Sequence, residues 1–311
     1  LLLVIAAAAL TGIYHGLVRK PQLTENASSP AASSPAQSAQ ASASSEPQKV
    51  DVRKPDFYTI LISGADDGNG GSDTNILVAF DAGNGVIHCV SIPRDTGAVI
   101  NGKERKINYA YNLGGTEKLA DTVSGLLGIP VDFTVEVKLK GFAALVDAIG
   151  GVDFDVPINM NYDDPKQDLS IHFSKGMQHL TGAEALEVVR FRHNNDGSGY
   201  GSEDLGRIAT QQAFLKAVAR QTLTLLNVDK ISQFSKIFQK YVTTNLTVGN
   251  LAWLGKEAIS IGTDNISFST LEGKWKSPYY RLDAEAVLTL VNSSLNPYTA
   301  DRTAEDLNIP S

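Results

Sequence analysis

Cysteine is nearly absent from this chain: Cys89 is the one thiol in 311 residues. That excludes an internal disulfide and a zinc site built from several cysteines, and Cys89 reads as a small buried apolar residue. Histidine is almost as scarce. His15, His88, His172, His179 and His193 show no HExxH or other close metal-ligand spacing, and His88, inside an apolar run, reads as a satisfied core residue. No GxSxG elbow is present for a serine hydrolase, no Walker lysine follows a glycine-rich loop, and no GxGxxG opens a helix after a strand. A basic excess is missing too: 27 Lys+Arg stand against 34 Asp+Glu, with a pI near 5.3. A protein that coats nucleic acid through a broad basic face is thereby excluded as a class. With 42% hydrophobic and 20% charged residues, the chain is neither wholly disordered nor a polytopic membrane protein.

What is present begins with an apolar run. Residues 1–18 carry no Asp, Glu, Lys or Arg, and Arg19 and Lys20 follow at once. Eighteen helical residues reach about 27 Å, the short end of a bilayer span, so residues 1–20 are expected to form a transmembrane anchor; a cleaved signal peptide is the competing reading. Either places the remainder outside the cytoplasm. Residues 27–45 use only Ala, Ser, Pro and Gln, with no large apolar group to offset ordering entropy. Residues 21–55 are therefore expected as a linker with a coil span of about 30 Å. From residue 56 onward 22 basic and 31 acidic residues remain, a net of −9.

The domain is expected at 56–296, with a polar tail over 297–311. Phe57–Ser63, Asn75–Phe80 and Val86–Ile92 are short β-branched runs, the last two joined by an Asp81-Ala-Gly-Asn-Gly turn. A helix is predicted after them with Thr116 as N-cap, carrying Leu119, Ala120, Val123, Leu126 and Leu127, and ending at Gly128. Val131–Leu139 alternates as a strand, Phe142 to Ile149 marks a second helix, and 151–158 alternates again. Thr181-Gly-Ala-Glu184 is a capping box. The longest helix is predicted from Asp204 to Leu226, with Leu205, Ile208, Gln212, Leu215 and Ala219 as its core stripe. Strands and helices interleave without an internal repeat, which predicts an α/β fold: a three-layer αβα sandwich around a central mixed sheet.

Four segments join charge to turn residues at the ends of apolar elements, where sites are built. In the loop from Gly64 to Thr74, Asp66, Asp67 and Asp73 suit a hard divalent cation, though Asp, Asn and Gly also simply make a good turn. At Ser91-Ile-Pro-Arg94-Asp95-Thr96, Pro93 ends the strand and leaves Arg94 to fork onto a phosphate or to pair with Asp95. Lys103, Arg105 and Lys106 follow and by themselves read as a solvated basic face. Arg190 and Arg192, two apart, share a face on extended backbone and can clasp one anion. Asp204, Arg207 and Gln211 fall on one helix stripe. Together they describe an acidic domain that gathers arginines beside a carboxylate loop, suited to a metal-bearing polyanion such as a pyrophosphate.

At these residues the chain resembles the LytR-CpsA-Psr family of extracytoplasmic phosphotransferases. The likeness is carried by Ser72-Asp73-Thr74, Ser91 to Thr96, Lys106-Ile-Asn-Tyr-Ala-Tyr111, Gly141-Phe142 with Val146 to Val152, Leu180 to Leu186, Arg190-x-Arg192, and Asp204-x-Gly-Arg207-x-x-x-Gln211-Gln212. The resemblance implies an αβα domain that moves a glycopolymer (teichoic acid, capsule or a related polysaccharide) from a polyprenyl-pyrophosphate carrier onto peptidoglycan at the membrane, with Mg²⁺ as cofactor and no nucleic acid as partner. It implies Arg94, Arg190, Arg192 and Arg207 as the catalytic, pyrophosphate-binding arginines. Lys106, Gln211, Asp204 and Asp95 are the remaining polar site positions, and Asp73 with Asp66 or Asp67 holds the metal. Two positions depart from many relatives, which carry arginine where this chain has Gly71 and Thr210. A lipid-pyrophosphate hydrolase and a non-catalytic receptor for wall polymer are the alternative readings.

Overall fold

The structure is a computed structural model that describes residues 18–23, 51–65, 71–165, 169–201, 203–224 and 231–310. The chain first lays down β1 (Phe57–Ala65), β2 (Ser72–Asp81) and β3 (Val86–Ser91), then a hairpin of β4 (Gly97–Ile100) and β5 (Lys103–Lys106). Helix α1 (Asn108–Leu127), β6 (Phe133–Lys138) and α2 (Leu139–Ile149) follow. Next come β7 (Val152–Val156), β8 (Met160–Asp164), β9 (Leu169–Phe173) and β10 (Gly176–Leu180), then α3 (Gly182–Arg190), α4 (Glu203–Thr224) and α5 (Ile231–Tyr241). The remainder is β11 (Val242–Thr244), α6 (Val248–Ile261), β12 (Ile266–Thr270), a hairpin of β13 (Gly273–Lys276) and β14 (Tyr279–Leu282), and α7 (Ala284–Leu290).

Among the described residues the main sheet is six-stranded, in the order β11-β6-β1-β2-β3-β12. The β1–β2 and β2–β3 pairs are antiparallel, whereas β6 joins β1 and β12 joins β3 in parallel. Period-two alternation sends Tyr58, Ile60, Ile76, Val78 and Phe80 into one core and Phe57, Leu61, Leu77 and Ala79 into another. The first core is closed by Val146, Val188, Phe214 and Leu251, from α2, α3, α4 and α6; the second by Leu119 and Val123 of α1 and Val287 of α7. Both faces are therefore covered by helices, and the strands read as unbroken apolar runs because neither side meets water.

The Asp81 turn forms as its composition predicts, with Asn84 N donating to Asp81 Oδ1 at 2.9 Å. The capping box is also present: Glu184 N donates to Thr181 Oγ1, and Thr181 N to Glu184 Oε2 at 2.8 Å. Helix α1 differs. It starts at Asn108, eight residues ahead of the predicted cap, and breaks at Gly114 and Gly115. That glycine pair interrupts the apolar period, so the sequence reads as a helix beginning at Thr116. The Thr116 hydroxyl is instead buried against Ser63 Oγ at 3.2 Å and donates to Glu136 Oε2 at 2.8 Å. On α4 the deepest core residues are Phe214 and Val218. Gln212, expected in the apolar stripe, spans to Ser91 Oγ at 3.0 Å and Ser269 O at 2.6 Å, tying α4 to the ends of β3 and β12. Leu205, Ala219 and Leu226 of the predicted helix fall on positions or side chains outside the description.

Residues 1–17 of the expected anchor and 24–50 of the expected linker also lie outside the described residues. No described helix is long and apolar enough to cross a membrane. The segment after Asn296, polar in composition, is packed on the domain over its described residues: Lys54 N donates to Pro297 O at 2.8 Å, Thr299 N to Val52 O at 2.9 Å, and Leu307 and Ile309 rest on the second core. Beside it, Arg53 meets the buried Asp132 carboxylate at 2.7 Å, which also accepts from Thr59 N and Oγ1 at 2.9 Å each. Removing one partner of such a pair leaves a desolvated charge without its counter-ion. Asp132→Ala is expected to lower unfolding free energy by about 3 kcal/mol, read by urea denaturation of the purified chain.

Candidate active site

Strand ends and loops converge on a cleft of about 490 Å³ at one end of the sheet. Its floor is the start of β2, where Gly71, Asp73 and Thr74 enter; the turn after β3 supplies Arg94 and Asp95, and the end of β5 supplies Lys106. Arg190 closes α3, Arg192 and His193 follow it, and Arg207 and Gln211 project from α4. Among the described residues, five arginine or lysine side chains thus line the cleft beside two carboxylates.

The turn after β3 is fixed by its backbone. Thr96 N donates to Pro93 O at 3.0 Å and Asn108 N to Arg94 O at 3.2 Å, so the start of α1 holds the arginine's own peptide. Arg94 Nη1 then donates to Asp73 Oδ1 at 2.5 Å, and its Nε lies 3.8 Å from Asp95 Oδ2. The buried Asp95 accepts from Lys106 Nζ at 2.8 Å on its other oxygen. Lys106 lies 5.7 Å from the centre of the exposed Trp275 ring. Strand alternation in β5 divides the basic run: Lys103 and Arg105 are exposed, and Lys106 turns inward.

Arg190 and Arg192 flank Phe191, which is buried and meets Tyr200 edge-on at 5.6 Å. With the aromatic turned into the core, both arginines face the cleft, although Arg190 is the last helical residue and not an extended one. Gln211 Nε2 donates to Val189 O at 2.9 Å, locking the exit of α3 to α4 and so setting the arginine pair in place. Arg207 is itself buried. Gly206, one residue earlier, lets Tyr200 pack against the helix: a Cβ there would sit 2.1 Å from Tyr200 Cβ. Asp204 lies on α4 and its side chain is outside the description, as are residues Asp66 and Asp67 altogether.

Of the two departures, Gly71 lines the cleft with φ +124, a conformation that side-chain-bearing residues rarely adopt. Thr210 points into the fold, its Oγ1 lying 2.9 Å from Tyr200 Oη and donating to Gly206 O at 3.0 Å. Sequence reasoning missed Tyr162, Leu169 and Ile171, which the β8–β9 hairpin brings to the cleft. Their alternation is short and interleaved with Asn and Asp, so it reads as loop. The hairpin is secured to the arginine-bearing segment by Asn161 N to Asn194 Oδ1 and Asp163 N to Asn195 Oδ1, both 2.6 Å.

A second cavity of about 140 Å³ adjoins the cleft and shares Thr74, Leu139, Val189 and Gln211 with it. Its walls are Ile62, Ile76, Val78 and Phe80 from the sheet and Phe142, Leu186, Phe214, Leu215 and Val218 from the helices. A ligand with an anionic head and an apolar tail fits the pair: the cleft neutralises one end and the pocket desolvates the other.

The profile of the LytR_cpsA_psr family matches residues 25–299. The chain belongs to the LytR_cpsA_psr family. The polyisoprenyl-teichoic acid–peptidoglycan teichoic acid transferase TagU of Bacillus cereus is 38% identical over 205 residues, 64% of this chain and 64% of its own length. The chain thus spans slightly less than two thirds of that curated relative. Among solved structures, TagV of B. subtilis is matched over 79% of this chain and 100% of its own, at 29% identity and TM-score 0.66. TagT bound to LIIa-WTA is matched over 79% and 92%, at 25% identity and TM-score 0.62.

In this family member the single cysteine lines the apolar pocket, where burial pushes the Cys89 thiol up to about 12. His88, on the neighbouring position of β3, is half-buried with Nδ1 2.6 Å from Ser267 Oγ, and burial lowers its pKa. Thiolate is the reactive form of cysteine. Native protein at pH 8 is therefore expected to leave Cys89 unmodified by a disulfide-exchange reagent, with one thiol appearing on unfolding; rapid native modification would show that the pocket opens to solvent.

Proposed function

We propose that the chain is a Mg²⁺-assisted phosphotransferase that moves a glycopolymer from a polyprenyl-pyrophosphate carrier to peptidoglycan and releases polyprenyl phosphate. The observation that carries this reading is the continuity of cationic cleft and apolar pocket, which matches the two halves of a lipid pyrophosphate. The relatives' names support a teichoic acid as the polymer: TagU is a teichoic acid transferase by name, and TagT is bound to LIIa-WTA. The apolar run before Arg19 supports a single-pass anchor in the cell membrane, with the domain on the extracytoplasmic side.

Asp66 and Asp67 lie outside the described residues, which contain no group of three His, Cys, Asp or Glu suited to a metal. Mg²⁺ commonly takes one or two carboxylates and completes its shell with substrate phosphates and water. Asp73, in the cleft, fits that mode, with Asp66 or Asp67 as the second carboxylate. When bound, the ion supplies charge neutralisation and orientation for the pyrophosphate oxygens.

The chain's own groups do the rest. Arg94, Arg190, Arg192 and Arg207 stabilise charge that builds on the transferring phosphoryl group and on the departing polyprenyl phosphate. A sugar hydroxyl of the acceptor attacks the phosphorus that bears the glycan; the new P–O bond forms as the bond to the bridging pyrophosphate oxygen breaks. With Asp73 assigned to the metal, Asp95 is the described cleft carboxylate left to take the hydroxyl proton. Asp95 also pairs with Lys106 and lies beside Arg94, and so positions those cations. The apolar pocket keeps the lipid tail out of water and so fixes the reacting phosphorus.

The test uses the full chain in detergent with Mg²⁺, a short-chain polyprenyl-pyrophosphate oligosaccharide and a peptidoglycan fragment, with the phosphodiester-linked product read by mass spectrometry. Product supports the proposal. Sugar phosphate without transfer replaces it by a hydrolase, and lipid binding with neither product by a receptor. Arg94→Ala is expected to cut turnover by about 10²–10³-fold while changing stability by about 1 kcal/mol or less, since its ion pair with Asp73 is solvent-exposed; equal loss of both would make Arg94 structural. Leu215→Trp narrows the pocket and is expected to raise KM for a long polyprenyl chain while sparing a geranyl-length substrate. An equal effect on both chains would place the tail elsewhere.

A further inference from the structure

Residues 18–23 are docked on the domain, although composition assigns Pro21 and its successors to a free linker. Arg19 N donates to Gly249 O at 3.0 Å, and the Asn250 side-chain amide returns a bond to Arg19 O at 3.1 Å. The same Asn250 side chain accepts from Thr247 N at 3.0 Å in the capping box of α6, so one residue both starts the helix and holds the incoming chain. Pro21 is buried, and its carbonyl accepts from Tyr58 Oη at 3.1 Å. Burial, then the Asp56 charge, push the Tyr58 hydroxyl up to about 12, which keeps it a donor. Lys20 pairs with Asp56, immediately before β1. The described residues on either side of the linker, 18–23 and 51–56, therefore both lie at the end of the domain where β1 starts.

This end is opposite the cleft. Tyr58 opens β1, and Gly64, six residues along the same strand and about 20 Å away at the usual strand rise, lines the apolar pocket and pairs with Thr74 of the cleft. The pocket runs from Thr74 down β2 to Phe80. Phe80 meets Trp253 of α6 at 6.4 Å, and Trp253 meets Tyr58 at 5.7 Å. Around the dock three apolar side chains face solvent: Val18 at 37%, Leu23 at 36% and Val248 at 42% exposure. The uncharged run of residues 1–18 enters at this point, beside the cationic Arg19 and Lys20.

We propose that the end formed by residues 18–23, Tyr58 and the start of α6 is the face that lies on the lipid bilayer, and that the anion cleft opens on the opposite end, toward the wall. The dock sets the height and orientation of the domain. A lipid tail in the apolar pocket then points back toward the bilayer while its pyrophosphate is presented outward. This rests on the anchored reading given above.

The test places a fluorophore on single cysteines of the full chain reconstituted in phosphatidylethanolamine–phosphatidylglycerol vesicles containing nitroxide-headgroup lipid. Cys89, buried, is spared by the label. Val248→Cys is expected to lose most of its emission to the lipid quencher, whereas Lys274→Cys, on the hairpin beside the cleft, keeps it; Leu23→Cys repeats the dock-side reading on a second residue. Equal quenching at Val248 and Lys274, or none at either, in protein that floats with the vesicles overturns the proposal and leaves the anchor intact. Protein that fails to float overturns the anchor reading, and this proposal with it.

Discussion

One chain of charges, from Asp73 through Arg94 and Asp95 to Lys106, fastens together segments that are far apart in sequence. β2 supplies the first carboxylate, the turn after β3 the arginine and its neighbour, and β5 the lysine. Each carboxylate holds a cation that would otherwise be repelled by its fellows, and among the described residues the two together fall short of the cationic charge around them. The remainder is supplied by Arg190, Arg192 and Arg207, which the fold delivers from the far wall. A cleft with that imbalance attracts a polyanion, whatever the negative charge of the domain as a whole.

The far wall depends on ordinary packing. Phe191 is driven into the core, which obliges its neighbours on either side to face outward, and Gln211 ties the exit of α3 to α4. Gln212, one residue on, secures α4 to the sheet. Two adjacent glutamines therefore do different work: one sets the arginine pair, the other sets the helix that carries Arg207. Immediately beneath them the same helix turns Phe214, Leu215 and Val218 to the apolar pocket, so head and tail sites share one rigid element.

Much of this was legible in the sequence. β1 to β3 announced themselves through unbroken β-branched runs, the Thr181 to Glu184 box named the start of α3, and the described residues of the charged segments, Asp73, Arg94, Arg190, Arg192 and Arg207, line one cleft. Other features were not legible, for identifiable reasons. A glycine pair concealed the first turns of α1. Composition alone could not tell Lys106 from Arg105; the family resemblance picked it out, and the register of β5 supplies the physical reason. The resemblance implies an apolar lipid pocket, but its lining was hidden because Val78, Phe214 and Leu215 are what a filled core would also use; only the three-dimensional packing shows that the space between them is open. The dock of Arg19 and Pro21 was hidden because its bonds are made mostly by backbone atoms, which carry no sequence signature.

The central claim is that cleft and pocket act as one site for a two-part ligand. It is tested most directly by calorimetric titration of the purified chain with farnesyl pyrophosphate, inorganic pyrophosphate and farnesol under the same Mg²⁺ concentration. The account predicts that farnesyl pyrophosphate binds far more tightly than either half and that each half weakens it by competition. Inorganic pyrophosphate binding as tightly as the prenylated compound would contradict it, because the apolar pocket would then contribute nothing to recognition.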